Sequence, residues 1–188
     1  MDEPPTAEEL DMAIKRTKCG KAAGRNGIPP EVWKYGGATL RNKLLQLFSN
    51  IWSTTAEVPQ DFKDATMVTI YKRKGDRAEC GNHRGISLLS VAGKILAKIL
   101  QHRLHSLDED ILPESQCGFR ANRFTEDMIF TLRQLQEKSA EQRQPFIVTF
   151  MDFSKAFDTV DRDTLWKLLS RYVASKSSSE CCAVSMMA

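Results

Sequence analysis

The chain has 188 residues, of which 41% are hydrophobic, and a formal net charge of +3. This length and composition fit one folded core in one or two lobes, and they argue against a membrane-spanning protein because no stretch approaches the roughly 18 apolar residues of a spanning helix. Residues 1–12 carry five acidic residues and no basic ones, the opposite of a secretory signal. Five cysteines without a Cys-x-x-Cys spacing predict reduced thiols. The protein is therefore expected to be intracellular, in the nucleus or cytoplasm, and not secreted.

The charge is distributed unevenly along the chain. Residues 13–105 hold 17 Lys and Arg against 6 Asp and Glu, a balance of +11, whereas residues 106–165 hold 7 against 12, a balance of −5. A basic first part suggests a polyanionic partner, and an acidic second part suggests a place where cations are held. Basic residues that merely solvate helix faces explain the first count equally well.

The first sixty residues predict helices. Thr6-Ala-Glu-Glu9 is a capping box, and it opens a helix with Leu10, Ala13 and Ile14 on one side. A short helix is expected to begin at Pro30, because proline is favoured in the first helical turn. A third helix is predicted from the helical spacing of five apolar residues: Leu40, Leu44, Leu47, Phe48 and Ile51.

Two extended segments and a long helix follow. The segment ATMVTIYK, residues 65–72, predicts a strand because it is rich in β-branched residues, and a turn at 74–76 ends it. The segment GISLLS, residues 85–90, is the second extended stretch. Residues 91–107 predict an amphipathic helix whose apolar stripe has seven members: Val91, Ile95, Leu96, Ile99, Leu100, Leu104 and Leu107.

The last third of the chain predicts a loop, a helix, a strand and a final helix. After the loop at 111–123, Thr125 is expected to cap a helix that turns four residues inward: Met128, Ile129, Leu132 and Leu135. The segment PFIVTFMDF predicts a central strand over 146–152, because it is apolar almost throughout. A last helix is expected over 163–172. Residues 173–188 have neither period and are interpreted as an unrelated, disordered tail.

A carboxylate stands where the predicted strand ends. Asp152 is held rigidly at that position, which suits a hard cation such as Mg²⁺ bound together with substrate phosphates. Asp158 and Asp161 lie beyond the strand, where they could cap the next helix or pair with a basic neighbour. Taken by itself, this spacing favours capping or salt-bridged aspartates over a metal site.

Two groups of basic residues lie on turns. The segment YKRKGDRAECGNHRG places five basic residues around a strand turn, where they could fold over a triphosphate: Lys72, Arg73, Lys74, Arg77 and Arg84. Arg120 and Arg123 lie on a glycine-containing loop and are candidate contacts for nucleic-acid phosphates. Solvated surface charges are the alternative for both groups. The three histidines do not have the spacing of a zinc site.

Read in order, four segments resemble the reverse transcriptase of non-LTR (LINE-type) retrotransposons. KAAGRNGIPPEVWK is similar to that family's K-x-P-G-x-D-G-I-P segment, and IYKRKGD with CGNHRGISLLS resembles its fingers motif K-K-G-D…N-Y-R-x-I-S-L-L. ILPESQCGFRANRFTEDMIF is similar to Q-x-G-F-R-x-x-R-S-T-x-D, and FMDFSKAFDTVDR resembles motif A of the palm, D-x-x-K-A-F-D. The resemblance covers roughly residues 6–172.

The resemblance implies roles for particular residues. Asp152 would be the first metal-binding aspartate of the palm, and Phe153 would lend its backbone carbonyl to the second metal. Lys155 and Ala156 would offer backbone N–H groups to the triphosphate, and Phe157 would be the steric gate that selects deoxynucleotides. Arg84, with Lys72 or Lys74, would hold the incoming dNTP from the fingers, and the partners would be an RNA template and a DNA primer.

The implied architecture is an α+β, partial right-hand polymerase fold. Residues 1–145 would be the helical fingers region, 146–172 the first strand and helix of the palm with motif A, and 173–188 the tail. The family's [FY]-x-D-D motif is not found, since the sequence contains no Asp-Asp dipeptide, and the thumb is missing too. The chain by itself is therefore expected to be inactive as an RNA-directed DNA polymerase.

Two alternatives stay open. One is a non-catalytic nucleic-acid-binding remnant of a retroelement that keeps the basic fingers surface. The other is a translated fragment without function, to which the unpaired edge of a palm sheet cut after its first strand lends weight.

Overall fold

The computed structural model describes residues 3–53 and 58–176, without the side chains of 106–110 and 172–176. These residues form seven helices and one two-stranded antiparallel sheet: α1 (Ala7–Lys15), α2 (Pro30–Tyr35), α3 (Gly37–Ser53), α4 (Gln60–Lys63), β1 (Ala65–Tyr71), β2 (His83–Leu89), α5 (Val91–Ile111), α6 (Thr125–Glu141) and α7 (Arg162–Lys176). They divide into two compact units, residues 3–104 with 170–176, and His105–Leu169. No helix in the described residues is both long enough and apolar enough to span a bilayer.

The core of the first unit lies where α1, α3 and α5 pack against one another. The capping box is formed as predicted: Glu9 N–H donates to Thr6 Oγ1 and Thr6 N–H to Glu9 Oε2, at 3.2 and 2.9 Å. The buried residues come from one face of each helix: Leu10, Ala13, Ile14, Leu44, Phe48, Ile51, Val91, Ala92, Ile95, Leu96, Ile99 and Leu100. The predicted stripes are thus largely confirmed, although Leu47 is 38% exposed and Leu104 is half-buried. The side chain of Leu107 lies outside the described residues.

Arg103 of α5 joins the N-terminal segment to this core. Its Nε and Nη2 donate to Glu9 Oε1 and Oε2, both at 2.7 Å, and Nη1 donates to Glu3 O, also at 2.7 Å. The guanidinium lies 5.0 Å from the centre of the Trp52 ring. Both side chains of the ion pair are largely buried, at 14% and 18% exposure. Bidentate geometry and little solvent make this pair stronger than an ordinary surface salt bridge.

The two extended stretches form a hairpin, as predicted. β1 and β2 pair from Ala65 opposite Leu89 to Tyr71 opposite His83. The loop before α2 packs against the end of β2 and the start of α5. A Cβ atom at residue 24 would lie 2.6 Å from Leu89 O and Ser90 N, which requires glycine there. Arg25 reaches Asp64, just before β1, at 3.4 Å.

The second unit departs from the sequence predictions in the expected strand over 146–152 and in the expected inward face of α6. Residues 146–152 form neither strand nor helix, and Ile147, Phe150 and Met151 are 80% exposed or more. A strand needs a hydrogen-bonded neighbour, and in the described part of the chain the two strands pair with each other. The prediction that α6 turns an apolar face inward is also wrong. Met128, Ile129 and Leu135 are exposed and Leu132 is half-buried, so the described residues leave most of this face of the helix uncovered.

The ends of the last two helices also differ from the predictions. The N-cap of α6 is Phe124, not Thr125, and Phe124 N–H donates to Asp127 Oδ2 at 2.7 Å. The final helix is confirmed but is longer than predicted, continuing to Lys176. Residues 177–188 of the predicted tail lie outside the described residues.

Gly24→Ala is expected to destabilise the protein by about 2 kcal/mol, since overpacking against fixed backbone atoms costs this order of free energy. Gly81→Ala is the matched control, because a Cβ there meets nothing within 4 Å. Urea denaturation of both variants measures the difference. Equal stabilities would contradict the close approach of the loop.

Acid is expected to weaken the link between α1 and α5. Hydrogen bonding to Arg103 lowers the pKa of Glu9 from 4.5 to about 2, against the opposing effect of burial. Because the folded-state pKa is depressed, the stabilisation is fully present above about pH 4.5 and is lost as the pH falls toward 2. Glu9→Gln should cost about 3 kcal/mol at pH 7, the low end for breaking a buried pair. The Glu9→Gln variant should also lose less stability than the unmodified protein as the pH falls below 4.5. Denaturation of both proteins at a series of pH values measures this difference. An equal loss of stability in acid would contradict the assigned role of Glu9.

Candidate functional site

The turn between β1 and β2 is ordered by its own polar side chains. Asn82 Nδ2 donates to Asp76 O at 2.7 Å and to Glu79 Oε2 at 3.1 Å, and Asp76 Oδ1 accepts from Ala78 N–H at 2.9 Å. Tyr71 Oη donates to Gly75 O at 2.5 Å. Both acidic side chains of the turn are therefore used in internal hydrogen bonds. Asn82, the asparagine of the fingers motif, was not among the predicted site residues, although its place in that motif is a signal that could have identified it.

The basic residues of this hairpin are left without acidic partners. Arg73, Lys74, Arg77 and Arg84 are exposed, and within the described residues none of them forms an ion pair. Lys72 Nζ donates to Gly81 O at 2.8 Å. Arg84 is opposite Ile70, and Lys72 lies two residues further along the same face. The hairpin therefore presents a group of unneutralised cations.

Asp152 lies on the exposed, unpaired segment that precedes a tight turn. Asp152 and Phe153 are exposed, and Asp152 makes no hydrogen bond or ion pair with any residue in the described ranges. The predicted rigid mounting at a strand end is therefore wrong in this structure. In the described part of the chain, residues 144–151, which precede Asp152, make no ladder hydrogen bonds.

The residues assigned to the triphosphate and the sugar follow in that turn. Lys155 has a positive φ of 52°, and its carbonyl accepts from Asp158 N–H at 2.9 Å and Thr159 N–H at 3.1 Å. Ala156 and Phe157 are exposed within the turn. The Phe157 ring meets Phe119 edge to face, with centroids 6.2 Å apart. No sequence signal predicted that contact, because the two residues are far apart along the chain.

The carboxylates after Asp152 do not complete a metal site. Asp161 Oδ1 accepts from Thr164 N–H at 2.7 Å, which caps α7 and lowers the pKa of Asp161. The capping alternative is thus confirmed for Asp161. Among the residues that the structure describes, no three His, Cys, Asp or Glu side chains are grouped to hold a metal ion. The donors present therefore do not fit a pair of bound metal ions, which needs bridging carboxylates.

The two loop arginines are engaged within their own loop. Arg120 is 8% exposed, and its Nη1 donates to Pro113 O at 3.0 Å. Arg123 Nη2 pairs with Glu114. Both contacts hold the segment before α6 together. Contact of Arg120 or Arg123 with nucleic acid stays a prediction, and this conformation does not present Arg120 to a ligand.

Known proteins match most of the chain. Residues 70–185 match the family model for reverse transcriptase (RNA-dependent DNA polymerase). The chain is 27% identical over 172 residues to the transposon TX1 uncharacterized 149 kDa protein of Xenopus laevis, covering 92% of this chain and 13% of that protein. It is 24% identical over 160 residues to the RNA-directed DNA polymerase from mobile element jockey of Drosophila melanogaster (82% and 17%). It is 29% identical over 168 residues to the retrovirus-related Pol polyprotein from type-1 retrotransposable element R2 of Popillia japonica (89% and 22%).

The chain belongs to the reverse transcriptase family, since the family model covers more than half of it. The named relatives include an RNA-directed DNA polymerase of a mobile element and a Pol polyprotein of a retrotransposable element, in agreement with the resemblance of the four sequence motifs to non-LTR reverse transcriptases. The helices and small antiparallel sheet are compatible with a reverse transcriptase domain. The chain spans 13% to 22% of the length of these three relatives.

Proposed function

We propose that this chain is the fingers and the beginning of the palm of a non-LTR reverse transcriptase, a partial right-hand polymerase fold. Its role is to contact phosphates of an RNA template, a DNA primer and an incoming dNTP. The similarity to proteins named as RNA-directed DNA polymerases supports this assignment. Activity inside the cell, in the nucleus or cytoplasm, belongs to the same proposal.

The observation that carries the proposal is the set of unneutralised cations on the hairpin. The acids of the turn are used to shape it, so the charges of Lys74, Arg77 and Arg84 are available to an external anion. Arginine binds phosphate oxygens in a bidentate manner and lysine acts as a mobile point charge. A phosphate-contacting surface therefore follows from the residues themselves as well as from the family.

Catalysis is proposed to need carboxylates that the described residues do not bring together. Reverse transcriptases use divalent metal ions, and two-metal phosphoryl transfer requires carboxylates that bridge both ions. Asp152 belongs to no group of three or more possible metal ligands in the described ranges, and the sequence contains no Asp-Asp pair. The same observations favour the second candidate, a nucleic-acid-binding remnant without polymerase activity.

Binding of single-stranded RNA is expected to weaken with salt, because cations released from the phosphates drive it. Lys72→Ala/Lys74→Ala/Arg84→Ala should make the slope of log affinity against log salt shallower by about 2, at roughly 0.7 per lost contact. Fluorescence anisotropy with a labelled oligonucleotide measures this slope. Lys34→Ala/Lys43→Ala/Lys138→Ala is the charge-matched control. A slope that the hairpin variant leaves unchanged would place the binding surface elsewhere.

The 188-residue chain is expected to extend no primer above background. The assay supplies primer–template, dNTPs and Mg²⁺, with Asp152→Ala as the matched variant. The physical reason is that one exposed carboxylate offsets too little of the charge of two divalent ions. Primer extension that depends on Asp152 would refute the proposal that this chain binds nucleic acid without catalysing synthesis.

A further inference from the structure

A second group of basic residues lies away from the hairpin turn, where α1 ends against the first turns of α5. We define the basic cluster as Arg16, Lys18, Lys94 and Lys98. Lys94 and Lys98 are four residues apart and so lie on one face of α5. Lys98 Nζ donates to Thr17 Oγ1 at 3.0 Å. Because Arg16 and Lys18 flank Thr17, this hydrogen bond brings them close to Lys98.

Thr17 fixes the geometry of the basic cluster. It is buried, at 8% exposure, and its hydroxyl donates to Ala13 O at 2.9 Å while it accepts from Lys98. The Lys98 ammonium group is thereby held against the C-terminal end of α1. Lys94 and Lys98 are half-buried, whereas Arg16 and Lys18 are exposed. Two of the four cations therefore do not extend freely into water, unlike ordinary surface lysines.

The electrostatics of the cluster are unfavourable without an anion. Burial lowers the pKa of Lys98, and repulsion from Arg16, Lys18 and Lys94 lowers it further. In the described part of the chain, no carboxylate pairs with any of the four residues. The negative end of the α1 dipole offsets only part of this repulsion.

Three acidic side chains of the neighbouring elements are engaged elsewhere. Glu9 is bound to Arg103, and Asp11 lies 3.4 Å from Arg41. Glu31 Oε1 accepts from the Gly20 N–H at 2.6 Å, just beyond Lys18. These three carboxylates are therefore not the counter-ions of the basic cluster, and an external anion could neutralise it.

We propose that the basic cluster binds the phosphodiester backbone of RNA as a contact separate from the hairpin turn. The inference deepens the proposed function and rests on it. Two features favour a polymeric anion over a single phosphate. The four cations come from two elements, and a further set of unneutralised cations lies on the hairpin of the same unit. A strand with repeated charges can occupy both sets, whereas one phosphate cannot.

The test is the salt dependence of single-stranded RNA binding by the full 188-residue chain. Lys94→Gln/Lys98→Gln removes the half-buried charges, and Arg16→Gln/Lys18→Gln removes the exposed ones without touching α5. Each pair should make the salt slope shallower by about 1.4, that is, two contacts of roughly 0.7 each. Lys43→Gln/Lys138→Gln is the charge-matched control and should leave the slope unchanged. Thermal unfolding confirms that each variant is folded.

The possible outcomes separate this inference from the proposed function. If the hairpin variant changes the slope but neither cluster variant does, the inference is wrong and the proposed function stands. If the unmodified chain does not bind RNA, both fail. If the control pair has an equal effect, the binding is general charge attraction and the site is refuted. If inorganic phosphate raises the melting temperature through the cluster while the RNA slope is unaffected, the ligand is a free phosphate and the proposal is overturned.

Discussion

The burial of one face of α5 is the constraint on which the first unit depends. Ile95 and Ile99 are almost completely inaccessible, and Phe48 of α3 and Leu10 of α1 cover them. Apolar burial supplies the free energy, of the order of 1.5–3 kcal/mol for each large side chain. Burial has no preferred direction, so the bidentate ion pair between Arg103 and Glu9 adds the geometry that orients α1 on α5. The hairpin ends directly before α5, and the glycine loop packs at that junction, so the position of the basic surface follows from this core.

The two parts of the proposed activity have different structural support. Phosphate binding needs only cations presented on a stable surface, and both the hairpin and the basic cluster lie in the unit with the buried core. Catalysis needs several carboxylates held within fractions of an ångström by packed elements. Asp152 instead follows an exposed segment without ladder hydrogen bonds, and Asp161 is used as a helix cap. The proposal of phosphate binding without catalysis rests on this difference.

The exposure of apolar residues in the second unit and the missing strand before Asp152 have the same cause. Ile147, Phe150, Met151 and Phe153 are all more than 75% exposed, and the apolar side of α6 is uncovered. Large apolar residues are expected in a core, because their burial supplies the free energy that offsets the entropy lost on folding. Without a packed layer over them, neither a strand nor an inward helix face can form. The candidate catalytic segment is thus the part whose conformation local sequence decides least.

The sequence by itself determined the family, the helices and the hairpin. Helix periods, the capping box at Thr6 and the turn before Asn82 depend on residues a few positions apart, and the structure confirms them. The sequence also predicted most of the buried positions of α1, α3 and α5, since the apolar faces of these helices pack against one another. Only the tertiary structure decided that 146–152 has no partner strand, that Arg120 is buried, and that Lys98 meets Thr17. The physical reason is range: a helix satisfies its hydrogen bonds internally, whereas a strand, a buried face or a charge cluster exists only through residues distant in the chain.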